Sequence, residues 1–243
     1  TRAGYGYAGE DPTADEAAPE TSGIWMMDVE TGARELVLRL ARIAAVPGEN
    51  QPAGDCVHWV NHLLWSPDGE RLIFLHRCRP RDAAGGFHTR MFTCSPTGGD
   101  LRLIDDVGGM SHFIWRDPET ILAWANRPEH GGWGFYLFGE RTGRIEPVGA
   151  AKMPSNGHCT YLPGGEWILN DTYPGGGGRR VQQLYVYNPR TDRRIDLAEL
   201  PSPPEYTGEW RCDLHPRASR DGRWVCVDSP HGGEGRQLYL LDA

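Results

Sequence analysis

The chain has 243 residues, a formal net charge of −8, 32 glycines and 19 prolines. The negative charge, and the lack of any run rich in Lys or Arg, exclude an extended nucleic-acid footprint. No run of about 18 apolar residues is present that could span a membrane. The glycine and proline contents are typical of an all-β chain with many turns.

Residues 1–22 mix acidic side chains with Ala, Gly, Pro and Thr, and we expect a mobile acidic arm or an insertion at this end. The chain has no initiator Met and no signal peptide, and it can lie inside a longer gene product, so the compartment stays open. Residues 23–41 contain two short apolar runs around a Glu-Thr-Gly turn, which predicts half of a β-sheet unit.

A strand, turn, strand pattern then recurs four times. In its first copy His62 precedes Trp65 by three residues, the turn Ser66-Pro67-Asp68-Gly69 follows, and an apolar strand begins at Leu72. The equivalent anchors at 65, 115, 161 and 218 are 50, 46 and 57 residues apart. A drifting period of this size is typical of a β-propeller, with one supersecondary unit per blade.

Each copy is followed by two further short apolar strands, so that a unit has four antiparallel strands, A to D. The sequence therefore predicts an all-β propeller over residues 23–243, with about four to five blades present. We expect these blades to belong to a larger, for example seven-bladed, ring, and a closed ring of four or five blades is the alternative. The blades are predicted at 57–105, 111–148 and 157–198, with the half blade at 23–41 and a partial blade at 210–243.

In a propeller the starts of the A strands and the ends of the B strands meet on one face. These positions are rich in imidazole, guanidinium and carboxylate groups: His62, His112, His158, Arg211, Asp213 and His215 at the starts, and His76, Arg77, Asp171 and Tyr173 at the ends. A single histidine here could equally be structural, donating to a backbone carbonyl. Four at the same phase favour a polar functional mouth.

Part of this set also suits a metal ion. Asp213 and His215 are two residues apart on a strand and project to the same side. With His112 and His158 from neighbouring blades they form a candidate ligand set for a divalent ion such as Mn, Ca or Zn. Trp210 is a candidate for stacking on a ligand, and the glycine-rich loop at 175–180 would carry Arg180 to the mouth.

The Ser66-Pro67-Asp68-Gly69 turn and its decayed copies resemble the TolB-like and WD40-like propeller repeats, over nearly all of residues 24–242. The phased histidines further resemble the propeller polysaccharide lyases of the oligogalacturonate lyase type. In that group a histidine-rich mouth, in some members with a divalent metal, binds the substrate carboxylate. The resemblance thus implies an acidic oligosaccharide or polysaccharide as ligand, and it alone suggests a secreted or periplasmic protein.

Under this resemblance the reaction is β-elimination on a uronate. His158 first, then His112, or Tyr173, would remove the C5 proton while positive charge neutralises the adjacent carboxylate. The residues expected to bind substrate are His62, His76, Arg77, Arg180, Arg211 and Trp210. The alternative, which the sequence leaves open, is a non-catalytic TolB-like module for binding or scaffolding, with a protein partner.

Overall fold

The computed structural model describes residues 12–13, 15–50, 54–82, 86–175 and 180–242. Within that part of the chain are seventeen β-strands, one five-residue α-helix and two 3-10 turns. No helix there is long and apolar enough to cross a bilayer. The chain divides into two compact units, the first made mainly of residues 1–110 and the second mainly of residues 111–243.

The first unit contains a two-stranded hairpin, a short helix and a four-stranded sheet. Its elements are β1 (Gly23–Met27), β2 (Arg34–Arg39), α1 (Leu40–Ala44), β3 (Cys56–Trp65), β4 (Leu72–Pro80), β5 (His88–Cys94) and β6 (Arg102–Gly108). The sheet keeps the chain order β3-β4-β5-β6. Strand β4 is buried over most of its length, as expected for an inner strand that is covered on both faces.

The second unit contains three sheets, each in chain order. Their strands are β7 (Met110–Asp117), β8 (Thr120–Arg127), β9 (Gly132–Gly139) and β10 (Ile145–Val148), then β11 (Thr160–Tyr161), β12 (Ile168–Asp171), β13 (Val181–Asn188) and β14 (Arg193–Pro201), and finally β15 (Arg217–Ala218), β16 (Trp224–Ser229) and β17 (Gln237–Asp242). The 3-10 turns are Pro128–His130 and Gly208–Trp210.

Successive sheets of the second unit pack face to face. Trp124 and Phe135 share an apolar cluster with Ile168 and Tyr185 of the next sheet. A further cluster joins strands β12 to β14 to strands β15 to β17, with Leu214 buried at its centre. Because the side chains of a strand alternate between its two faces, each inner sheet supplies both clusters.

The predicted fold class, an all-β propeller with four-stranded antiparallel blades, is confirmed. Four of the five sheets are blades of three or four strands, and the hairpin β1–β2 is the remaining two-stranded sheet. The turn of the repeat is formed as its residues suggest: Ser66 Oγ donates to Asp68 Oδ1, and Gly69 adopts a φ of 75°. Membership in a larger ring stays a prediction.

Of the predicted acidic arm at 1–22, residues 1–11 and 14 lie outside the described residues. The part that follows makes backbone hydrogen bonds within the first unit. The His58 N–H donates to the Ala17 carbonyl, and the Leu40 N–H donates to the Ser22 carbonyl.

Candidate functional site

Four aromatic side chains from three successive sheets meet in the second unit. His112 lies on β7, His158 precedes β11, Tyr173 follows β12, and His215 precedes β15. The ring centroid of His158 lies 4.1 Å from that of His112, 3.8 Å from that of His215 and 5.4 Å from that of Tyr173. We call these four residues the histidine cluster. They occupy the A-strand starts and the B-strand end that the repeat predicts.

Asp171, the last residue of β12, holds this cluster from beneath. Its side chain is buried, Oδ1 accepts the backbone N–H of His158 at 2.5 Å, and Oδ2 lies 2.9 Å from His158 Nδ1. Oδ2 also accepts the backbone N–H of His215 at 3.2 Å. Because a carboxylate can only accept, Nδ1 of His158 carries its proton and Nε2 presents the lone pair.

Gly157 makes this anchoring sterically feasible. A Cβ at this position would lie 1.9 Å from the Asp171 carbonyl oxygen, so only glycine lets the chain pass this close to β12. Sequence reasoning placed Asp171 at a strand end without a role, and it overlooked Gly157. The available signal was the Gly-His pair that leads into the strand facing Asp171.

Tyr173 lies between two imidazoles. Its hydroxyl is 3.3 Å from His112 Nε2 and 3.5 Å from His158 Nε2. On its other side, His112 Nδ1 lies 3.1 Å from Asn156 Oδ1, an oxygen that only accepts. His112 Nε2 therefore also presents a lone pair toward the phenol, which makes this pair suited to moving a proton.

His158, Asp213 and His215 form a group that suits a divalent ion. Their ligand atoms all lie within 4.8 Å of one another. The buried Asp213 uses Oδ2 to accept from Arg211 Nε at 2.8 Å, while Oδ1 has no hydrogen-bond partner among the described residues. A buried carboxylate oxygen beside two imidazoles is the donor set expected for such an ion. Three of the four predicted ligands thus group together, whereas His112 lies outside the group and faces Tyr173.

The backbone of His215 supports a special role for this position. Its φ is 43°, a left-handed conformation that a non-glycine residue adopts rarely and mostly at functional sites. Burial, and next the neighbouring His158, lower the pKa of His215. A neutral imidazole is the form that can bind a metal ion.

The predicted cations of the second unit differ in what they contact. Arg211 pairs with Asp213, and its guanidinium carbon lies 5.2 Å from the Tyr173 ring centroid. Arg180 instead donates from Nε to the Ser202 carbonyl and from its terminal nitrogen to that of Tyr206, because the chain after β14 folds back over it. Residues 176–179 of the predicted loop lie outside the described residues.

Trp210 ends a 3-10 turn and is 58% exposed. The guanidinium carbon of Arg236 lies 5.7 Å from its ring centroid. The exposed indole agrees with the expectation of a surface available for stacking.

The other predicted binding residues, His62, His76 and Arg77, belong to the first unit. His62 sits at an irregularity of β3 with a φ of 54°. Arg77 lies over the ring of Phe87, with its guanidinium carbon 4.5 Å from the centroid. Their membership in one binding surface with the histidine cluster stays a prediction.

His76 is fully buried within that unit. Its Nδ1 accepts from Arg90 Nε at 3.2 Å, and its Nε2 lies 3.0 Å from His58 Nδ1. Burial first, and then the charge of Arg90, lower the pKa of His76 to about 2. His76 is therefore a neutral core residue that donates to His58.

Strand order and sheet composition define this chain as a β-propeller. No protein-family model and no curated protein matches its sequence. Solved structures with the same fold include TolB from Acinetobacter baumannii, at a TM-score of 0.55 and 14% identity over 90% of this chain and 45% of that one. The tricorn protease has a TM-score of 0.57 and 10% identity, over 90% of this chain and 23% of that one.

A third similar structure is the Pyrococcus horikoshii acylaminoacyl peptidase, with a TM-score of 0.51 and 9% identity over 76% of this chain and 31% of that one. This chain spans less than half the length of each of the three. Identities this low show the fold alone. The TolB-like part of the resemblance is confirmed at that level. None of these three structures is named as a polysaccharide lyase, so the lyase hypothesis depends on the site.

Proposed function

We propose that the histidine cluster is the active centre of a lyase that cleaves uronate-containing glycans by β-elimination. The observation that carries this proposal is the convergence of two oriented imidazoles and a phenol beside a His-Asp-His group with an unpaired carboxylate oxygen. β-Elimination needs these parts: a base, an acid and positive charge at the substrate carboxylate.

His158, Asp213 and His215 would hold the divalent ion. Once bound, the ion would supply the positive charge that makes the uronate C5 proton more acidic. Asp171 supports this role, since a carboxylate on the far nitrogen of a ligating histidine fixes its tautomer and raises its basicity. The guanidinium of Arg211 adds a second positive charge on the Tyr173 side.

The geometry favours His112, not His158, as the base, because His158 Nε2 belongs to the ligand group. His112 Nε2 would take the C5 proton while the electron pair of that C–H bond forms the C4=C5 double bond. The bond from C4 to the glycosidic oxygen breaks, and the Tyr173 hydroxyl protonates the departing oxygen. Proton transfer from His112 back to the Tyr173 oxygen, 3.3 Å away, restores both groups.

Absorbance of the unsaturated uronate product tests this directly, on galacturonate and glucuronate oligomers with Mn, Ca or Zn supplied in turn. We expect His112→Ala and Tyr173→Phe to reduce the rate by a factor of about 100 or more. Asp213→Asn should remove stoichiometric metal, measured by elemental analysis. His130→Ala, at an exposed 3-10 turn, is the matched control. Absence of product with every metal and oligomer, or full activity of both proton-transfer variants, would overturn the lyase assignment.

A second candidate is a non-catalytic binding module. The observation that favours it is Arg180, an expected substrate cation whose guanidinium binds backbone carbonyls of its own chain. Saturable binding of acidic oligosaccharides or of a protein, without any unsaturated product, would support this candidate over the lyase.

A further inference from the structure

A cavity of about 450 Å³ adjoins the histidine cluster in the second unit. Asn156 and Tyr173 belong both to its lining and to the contacts of His112. A group that occupied this cavity would therefore touch the same two side chains that orient the proposed base. The cavity is wide enough for a single sugar unit, at the lower end of the volumes of ligand pockets.

The polar lining of this cavity is made mainly of hydroxyl and amide groups. Ser155, Thr172 and Gln183 contribute these groups beside Asn156, and Glu199 contributes a carboxylate. The described part of the lining contains no Lys, Arg or His. Such a surface offers hydrogen bonds to hydroxyl groups but no cation for an acidic group.

Gln183 and Glu199 form an oriented donor and acceptor pair. They are direct cross-strand partners on β13 and β14. Gln183 Oε1 accepts from a terminal nitrogen of Arg194 at 3.0 Å, which directs its NH₂ group to donate elsewhere. Arg194 is itself held by Asp196 and by the Lys152 carbonyl. An amide donor beside a carboxylate acceptor matches two adjacent hydroxyls of a sugar ring.

We propose that this cavity is the subsite for a neutral, hydroxyl-rich sugar unit, next to an acidic unit at the histidine cluster. The placement of the acidic unit rests on the proposed function, whereas the neutral subsite rests on the cavity alone. The ligand class is then a glycan in which uronates alternate with neutral sugars. A homopolymer of uronates would place a second carboxylate against Glu199.

Calorimetric titration with two tetrasaccharides tests this subsite. One alternates galacturonate and rhamnose, and the other is tetragalacturonate. We expect the wild-type protein to bind the alternating one at least about tenfold more tightly. Gln183→Ala and Glu199→Ala should each remove most of that preference, and Glu199→Gln should raise the affinity for tetragalacturonate. Glu166→Gln, at an exposed ion pair with Arg190, is the matched control, and thermal melts check that each variant is folded.

Equal affinity for the two probes, no binding of either, or a preference that all three variants preserve would overturn the subsite. Its failure is separable from that of the lyase. Glu199-dependent preference without any unsaturated product would retain the subsite and reject the lyase. Product from tetragalacturonate at a rate insensitive to Gln183 and Glu199 would retain the lyase and reject the subsite.

Discussion

Asp171 binds His158 through two different contacts: Oδ1 accepts the backbone N–H at 2.5 Å, and Oδ2 lies 2.9 Å from the ring Nδ1. One carboxylate therefore fixes both the main-chain position and the tautomer of the central histidine. It also accepts the backbone N–H of His215, so that two of the three proposed metal ligands depend on it.

Asp171→Asn should weaken metal binding by about 10- to 100-fold, because an amide cannot accept at both positions and no longer stabilises the Nδ1–H tautomer. Zinc titration measures the affinity, and nitrogen NMR of the imidazoles reports the tautomer. Asp242→Asn, at an exposed ion pair with Arg223, should change neither. Wild-type affinity and an unchanged tautomer in Asp171→Asn would show that the carboxylate serves the fold alone.

Gly157→Ala should displace the His158 segment, since the added Cβ would meet the Asp171 carbonyl oxygen at 1.9 Å. We expect a loss of about 1–3 kcal/mol in the free energy of unfolding, typical of overpacking, together with weakened metal binding. Urea denaturation and zinc titration measure the two effects. Gly175→Ala is the control, because nothing lies within 4 Å of its Cβ position and its φ is not left-handed. Equal effects of the two substitutions would contradict this packing argument.

His76 should make the protein less stable in acid. Its folded pKa of about 2 lies below the ordinary value of 6.5, so between these values the unfolded chain binds a proton that the folded chain excludes. The stabilisation is complete above pH 6.5 and is lost as the pH falls, at up to roughly 1.4 kcal/mol per pH unit from this group.

Urea unfolding measured across pH 4 to 7 (a range of about three units) should therefore show a shallower slope for His76→Gln than for the wild type. His130→Gln, at an exposed position, should retain the wild-type slope. Identical slopes in all three proteins would mean that His76 is protonated in the folded state.

Glu140 should be costly to remove. Its side chain is 1% exposed and pairs with Arg71 at 2.7 Å and with Arg102 at 3.2 Å, while Thr93 donates to it at 2.7 Å. Loss of one partner leaves buried positive charge unpaired, so Glu140→Gln should lower the free energy of unfolding by about 3 kcal/mol. Glu166→Gln removes an exposed ion pair and should cost less than about 1 kcal/mol. Thermal and urea unfolding compare the two, and similar losses would refute the distinction.

The sequence by itself determined the blade pattern and the positions of the histidines within it. The strand, turn, strand phrase around Trp65 repeats through local chemistry, since Pro, Asp and Gly form the turn and apolar residues form the strands. A common phase is then enough to predict that His112, His158 and His215 start equivalent strands. The structure brings these three rings together with Tyr173, as that phase implies.

Only the tertiary structure decided how these side chains are used. The support from Asp171, the clearance at Gly157 and the pairing of Gln183 with Glu199 depend on strand register, which no local pattern of residues encodes. Arg180 shows the same limit, because the segment after β14 supplies carbonyls that capture its guanidinium. Repetition along the chain sets which residues can meet, whereas contacts between residues distant in sequence set their tautomers, charges and partners.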